Sequence, residues 1–154
     1  FSSGMLANEH LKMLVGIVDF VSGDLKGTPI LIPYSYAGYF DDRKVIDTVK
    51  PMVSDKSKVV TITDDLLPEE LKSIIGTCDM LVSWRFHPSV QAISMGVPVI
   101  GLTGDGIIKF RETIGKLAGL NDWLVETSGR TSSEVLGETK RKLLLLNQLF
   151  IFLR

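Results

Sequence analysis

Met80-Leu81-Val82-Ser83-Trp84-Arg85-Phe86, then His87-Pro88, then Ser89 to Met95, then Gly96-Val97-Pro98-Val99-Ile100-Gly101-Leu102 run without a break through the middle of the chain. The first and last segments are short apolar runs of strand length, and the piece between them is a brief helix-forming stretch opened by proline. Gly96 and Gly101 punctuate the second run. The stretch therefore reads as strand, helix, strand, with the strands at Met80 to Phe86 and Val97 to Leu102 and the helix at Ser89 to Met95. Strands apolar on both faces that alternate with helices lie in a parallel sheet covered on both sides.

Working outward, the same alternation recurs. Glu9 to Phe20 places Leu11, Leu14, Val15, Val18 and Phe20 at helical steps, and Gly23 and Gly27 end that helix. Thr28 to Pro33 reads as a strand, and Asp41 to Val53 as a helix. Lys58 to Thr63 is a β-branched strand, and Pro68-Glu69-Glu70 opens a helix with proline and acids where a helix amino end favours them. Beyond Leu102, Ile107 to Leu117 is helical and Trp123-Leu124-Val125 is a short strand. Thr131-Ser132-Ser133-Glu134 then caps a last helix that reaches about Phe152. The expected fold is a doubly wound, Rossmann-like parallel sheet of about four to five strands with helices on both faces. Ligands bind such sheets outside the carboxyl ends of the strands. That rule nominates the loops Tyr34 to Asp42, Thr63 to Leu67, Trp84 to Ser89 and Thr103 to Lys109.

The totals restrict the partners. The 154 residues suffice for one well-packed domain that buries roughly two thirds of its unfolded surface. Lysine and arginine (17) nearly balance aspartate and glutamate (18), so there is no overall field to hold nucleic acid or an anionic membrane, and a charged ligand must be bound locally. Cys78 is the single cysteine, which excludes an internal disulfide and leans toward the cytoplasm. It reads as a small buried filler. The start Phe1-Ser2-Ser3-Gly4-Met5 reads as a tag remnant, leaving residues 6–154 as a single domain that is part of a longer chain. The apolar run Leu143 to Leu153, interrupted by Asn147 and Gln148, is too short for an integral membrane segment. Its lack of a polar face asks for extra cover, from a missing domain or from a homodimer through this helix.

The chemistry concentrates at Ser83-Trp84-Arg85-Phe86-His87-Pro88. Along an extended strand Ser83, Arg85 and His87 share a face, and Pro88 at the first helical position turns the amides of Ser89 and Val90 toward the same point. A helix amino end beside a guanidinium is an anion site, and an imidazole there can move a proton near neutral pH. The competing reading pairs Arg85 with an acid and makes His87 a helix cap. Tyr34 to Tyr39 holds all three tyrosines, so Ser35 and Tyr36 line a cleft or pack at the fold edge. Asp41-Asp42 reads as a helix start rather than a metal pair. Gly101 to Gly106 is not a dinucleotide fingerprint but a strand-end loop that brings Thr103, Asp105 and Lys109 toward the ligand. Lys109 is either a phosphate contact or a solvated lysine, and His10 is expected on the surface.

The run Cys78 to His87, with its Arg-x-His pair, followed by Ala92-Ile93-Ser94-Met95-Gly96-Val97-Pro98-Val99-Ile100-Gly101-Leu102, resembles the carboxyl-terminal half of the polysaccharide pyruvyl transferases. The likeness extends from about Gly27 to Leu120. It departs from the family at Phe86, more often leucine, and in the lead-in Ser83-Trp84. The resemblance implies one half of a two-domain, GT-B-like enzyme that transfers pyruvate from phosphoenolpyruvate onto a sugar of an exopolysaccharide or cell-wall glycan. It also implies Arg85 and His87 as catalytic residues, Ser35, Tyr36, Ser83, Ser89, Thr103, Asp105 and Lys109 on the donor side, and no metal or organic cofactor. Such a half, without the acceptor-binding half, should have little activity alone. The alternatives are half of a nucleotide-sugar glycosyltransferase, against which no acid is placed for a ribose, and a non-catalytic assembly module that docks through the last helix.

Overall fold

A computed structural model describes residues 4–36, 41–104 and 108–153, with the side chains of residues 4–7 and 150–153 outside the description. The chain divides into two compact units, Phe1–Asp65 and Leu66–Arg154. In each, strands and helices alternate and the strands run parallel. The chain is therefore α/β, and its five described strands fall two and three to a unit.

The first unit holds α1 (Gly4–Gly23), β1 (Ile30–Leu31), α2 (Asp42–Val49) and β2 (Val60–Thr61). β1 and β2 are in register, Ile30 opposite Val60 and Leu31 opposite Thr61. The apolar face of α1 closes on α2, where Val18, Val49, Val53 and Val59 are buried and Leu11, Leu14, Val15, Leu31 and Val45 pack around them. At the far end of α1 the Asp19 carboxylate accepts from the amide and the hydroxyl of Ser54, both at 2.8 Å. His10 is exposed, as expected.

The second unit opens with α3 (Pro68–Gly76), whose first turn contains Pro68 and whose Glu70 carboxylate accepts from the Leu67 amide at 2.7 Å. β3 (Leu81–Ser83), β4 (Val99–Thr103) and β5 (Leu124–Glu126) form a sheet in that order. α4 (Phe86–Ser94) crosses from β3 to β4, and a π-helix at Phe110–Leu117 crosses from β4 to β5. All five residues of β4 are buried. Successive side chains point to opposite faces of a strand. A Cβ added to Gly101 would lie 2.9 Å from Phe110 Cε1, so the face shared by Val99, Gly101 and Thr103 is the one the π-helix covers. The last helix, α5 (Ser132–Leu153), packs on β4 and β5. Its Thr131–Glu134 cap forms as read, with the Thr131 amide donating to Glu134 at 2.8 Å.

Two features depart from the sequence reading. The segment expected as an ordinary helix over Ile107 to Leu117 is wound as a π-helix from Phe110, and Ile107 lies outside the described residues. α5 is less uniformly apolar where it meets the sheet, because Thr139 and Lys142 are buried beside Val135, Leu143 and Leu146. Thr139 donates back to the Val135 carbonyl at 2.7 Å. Lys142 reaches the Asp122 carbonyl and Glu138, and Arg130 donates to Glu138 at 2.6 Å and to the Glu126 carbonyl at 3.0 Å. Arg130 thereby ties the first half of α5 to the end of β5, and Lys142 ties its middle to the turn that precedes β5. No helix among the described residues is long and apolar enough to cross a membrane.

Burial pushes the Glu138 carboxyl up, but the hydrogen bonds and charges of Arg130 and Lys142 together outweigh it and hold the group below the usual glutamate range. A carboxyl depressed on folding stabilises the fold above its unfolded pKa, about 4.3, and that contribution is lost as pH falls through the lower folded value. Thermal melts between pH 7 and pH 3 should therefore show Glu138→Gln less stable than the parent at neutral pH, the two curves converging toward pH 3. Parallel curves would show that the ion pair contributes nothing to acid sensitivity.

Candidate functional site at the strand ends

β3 stops at Ser83, the chain bends at Trp84, and α4 begins at Phe86. Arg85 is thus the N-cap residue, in an extended conformation (φ −99°, ψ 133°). Ser83 Oγ accepts from the Arg85 amide at 3.0 Å and donates to the Arg85 carbonyl at 3.2 Å. Ser89 Oγ donates to the same carbonyl at 2.9 Å. Two serine hydroxyls thereby hold the backbone of Arg85 at the junction of a strand carboxyl end with a helix amino end. Its Nε is buried.

This geometry corrects the expected arrangement. His87 is not the third residue on a strand face; it stands in the first turn of α4 and is exposed. Strand alternation therefore does not align Ser83, Arg85 and His87. Pro88 is the third helical residue rather than the first, a place where its missing N–H removes no intrahelical bond. Ser89 is fully buried, its hydroxyl spent on Arg85, so it supports the turn from inside. The helix starts three residues earlier than its spacing suggests because Phe86 is drawn inward. Its ring packs edge-on to Phe110, with centroids 6.0 Å apart, and Phe110 is completely buried.

The strand register fixes the next neighbour. Ser83 pairs with Gly101, so Thr103 lies two residues further along β4, beyond the last paired residue of β3. Thr103 is 2% exposed, and its carbonyl accepts from the Thr127 amide at 2.7 Å and the Thr127 hydroxyl at 3.0 Å. Its own Oγ1 is buried and has no hydrogen-bond partner among the described residues. Lys109, in the turn of chain leading into the π-helix, is exposed, and Asp105 lies outside the described residues. Thus Ser83, Arg85 and Ser89 are joined directly, and Thr103 stands on the neighbouring strand end.

Ser35 and Tyr36 belong to the first unit, where they follow β1. The Asp42 carboxylate accepts from the amides of Tyr34 at 3.0 Å and Ser35 at 2.9 Å, and the Asp42 amide donates to the Ser35 carbonyl at 2.8 Å. Asp41 caps α2 by accepting from the Arg43 amide at 3.0 Å, which supports its reading as a helix start. Arg43, not among the residues expected at a site, organises this loop. Its guanidinium pairs with Asp41 and Asp65, both at 2.7 Å, and lies over the Tyr36 ring, 5.2 Å from its centroid. That guanidinium holds the Asp41 carboxyl below its ordinary range. The Tyr36 hydroxyl donates to the Pro33 carbonyl at 3.3 Å. Elsewhere Cys78 is half-buried, and burial, helped by Asp79, pushes its thiol up, away from a reactive thiolate.

A buried hydroxyl without a partner costs about 1–3 kcal/mol relative to one that is paired. Thr103→Val, which swaps that hydroxyl for a methyl of the same shape, should therefore leave the melting temperature unchanged or raise it by a few degrees. A fall of several degrees would show that the hydroxyl is bonded in solution.

No solved structure matches the chain. The family model described as polysaccharide pyruvyl transferase matches residues 12–106. That span is well over half of the chain and takes in β1 to β4, the Arg85 turn, His87 and Thr103. The chain belongs to the polysaccharide pyruvyl transferase family.

Proposed function

We propose that the strand-end turn at Arg85 binds phosphoenolpyruvate and that the chain is the donor-binding half of a cytoplasmic, GT-B-like transferase. Its acceptor is a sugar of an exopolysaccharide or cell-wall glycan, and it uses no metal or organic cofactor. The observation that carries this reading is Arg85 itself, a guanidinium whose backbone two serines pin at the amino end of α4. A helix amino end and a forked cation both favour an anion, and phosphoenolpyruvate offers a phosphate and a carboxylate.

In the proposed reaction the methylene carbon of the donor takes a proton and its neighbouring carbon is attacked by one sugar hydroxyl. The bond from that carbon to the phosphate oxygen breaks, its electron pair leaving with phosphate. A second hydroxyl of the same sugar then closes the ketal. The two hydroxyl protons are accounted for, one in the new methyl group and one on the released phosphate. Arg85 neutralises the departing charge, and His87, exposed on the first turn of α4, moves the proton. Ser83, Thr103 and Lys109 belong to the donor side in this reading, as does Asp105.

Isothermal titration with phosphoenolpyruvate, with a UDP-sugar as control, tests the proposal. The parent should bind phosphoenolpyruvate and not the UDP-sugar. Arg85→Ala should weaken binding by about 10- to 100-fold, the worth of a charge-assisted pair, with little change in melting temperature. Unchanged affinity together with a steep loss of stability would make Arg85 a structural ion-pair residue and overturn the assignment. His87→Gln should keep the affinity and lower turnover by about 100-fold or more where the acceptor is supplied to a complete enzyme. Equal losses of affinity and turnover would remove its proton-transfer role.

A further inference from the structure

His87 is exposed, yet its ring rests on a fixed neighbour. The imidazole meets the Phe86 ring with centroids 5.7 Å apart and planes at 75°, the crossed arrangement that aromatic pairs favour. Phe86 in turn crosses Phe110 at 6.0 Å and 80°. Phe110 is completely buried, in the space that Gly101 leaves open on β4. Three rings thus run outward from the core, and the outermost is the imidazole. Consecutive side chains on a helix ordinarily diverge, so contact between residues 86 and 87 selects one direction for His87. Exposed side chains otherwise exchange rotamers freely on a fast timescale.

We infer that Phe86 is a positioning residue for His87, an inference that rests on the reading of His87 as the group that moves the proton. A proton donor acts only when its nitrogen lies within hydrogen-bond reach of the atom it serves. An imidazole free to turn spends much of its time facing water. Held against Phe86, it keeps its ring nitrogens within a narrower set of directions, and the loss of positioning entropy falls on folding rather than on each turnover. Phe86 can do this because Phe110 holds it from behind. Arg85 is held separately, through its backbone, by Ser83 and Ser89. The two groups of the Arg-x-His pair therefore have different supports, hydrogen bonds for the cation and stacked rings for the imidazole. Leucine in place of Phe86 would still fill the inward position but would lose the ring quadrupole on which the crossed contact depends.

The chain has two histidines, His10 and His87, so one variant, His10→Gln, assigns the imidazole signals in proton NMR of the whole chain. The ring current of Phe86 should displace the His87 signals from those of an exposed histidine, and cross-peaks should join the two rings. Phe86→Leu should return the His87 signals to exposed values and leave phosphoenolpyruvate affinity near that of the parent, whereas Phe86→Tyr, which keeps the ring, should keep the displacement. In the complete enzyme Phe86→Leu should lower kcat about two- to tenfold at unchanged KM for phosphoenolpyruvate, and Phe86→Tyr should restore it. His87 signals at exposed values in the parent overturn the inference, a result that needs no variant to fold. Full turnover in Phe86→Leu where His87→Gln is impaired also overturns it. Displaced signals that depend on the ring at position 86, in an enzyme whose His87→Gln variant keeps full turnover, support the positioning and instead overturn the proton-transfer reading.

Discussion

β4 is buried along its entire length, and the second unit is arranged to keep it so. Both of its edges are used, by β3 and by β5, and both of its faces are covered. The cover on one face depends on Gly101. A Cβ there would stand 2.8 Å from Leu124 Cδ2 and 2.9 Å from Phe110 Cε1, so the absent side chain is what admits Phe110 onto the sheet. Burial of a phenylalanine of this kind is worth roughly 1.5–3 kcal/mol. Phe110 in turn receives Phe86, which sets where α4 begins, and the start of α4 makes Arg85 its N-cap. The position of the candidate cation thus follows, through two aromatic contacts, from a glycine in the central strand.

Features determined by neighbours in sequence were legible without the structure. The Thr131–Glu134 cap, the Pro68 start of α3, the Asp41 cap of α2 and the end of α1 at Gly23 all depend on groups a few residues apart, and all formed as read. The strands were legible in place and direction but not in length. The apolar run Thr28 to Pro33 contains a paired strand only at Ile30–Leu31, because a ladder extends only where the partner run lies opposite. Periodicity announces a buried segment; the partner decides how much of it pairs.

The candidate site shows the same division. That Arg85 and a helix amino end meet at a strand terminus could be read from Met80 to Pro88. Where strand gives way to helix could not. Spacing placed that change at Pro88, whereas Phe110, 24 positions from Phe86 in the chain, sets it earlier. Two serines supply the local means, and their hydroxyls bond the backbone more strongly than their polar class alone suggests. Arg43 escaped notice for a similar reason. Its partners Asp41, Asp65 and Tyr36 are spread over three segments, and only the folded first unit brings them to one guanidinium.

The earlier helix start alters what the Arg-x-His pair can do. On one strand face, the cation and the imidazole would point the same way and compete for the same anion. With Arg85 extended at the cap and His87 inside the first helical turn, residues two apart no longer share a face. The proposed reaction asks for this separation, because charge accumulates on the departing phosphate while the proton is needed at the methylene carbon. In that proposal, anion binding gains from a guanidinium whose Nε is already buried and whose backbone is held in place. Proton transfer gains from an imidazole open to solvent, which can be recharged between turnovers. A strand that ends three residues sooner than its sequence suggests is therefore what separates the two proposed roles.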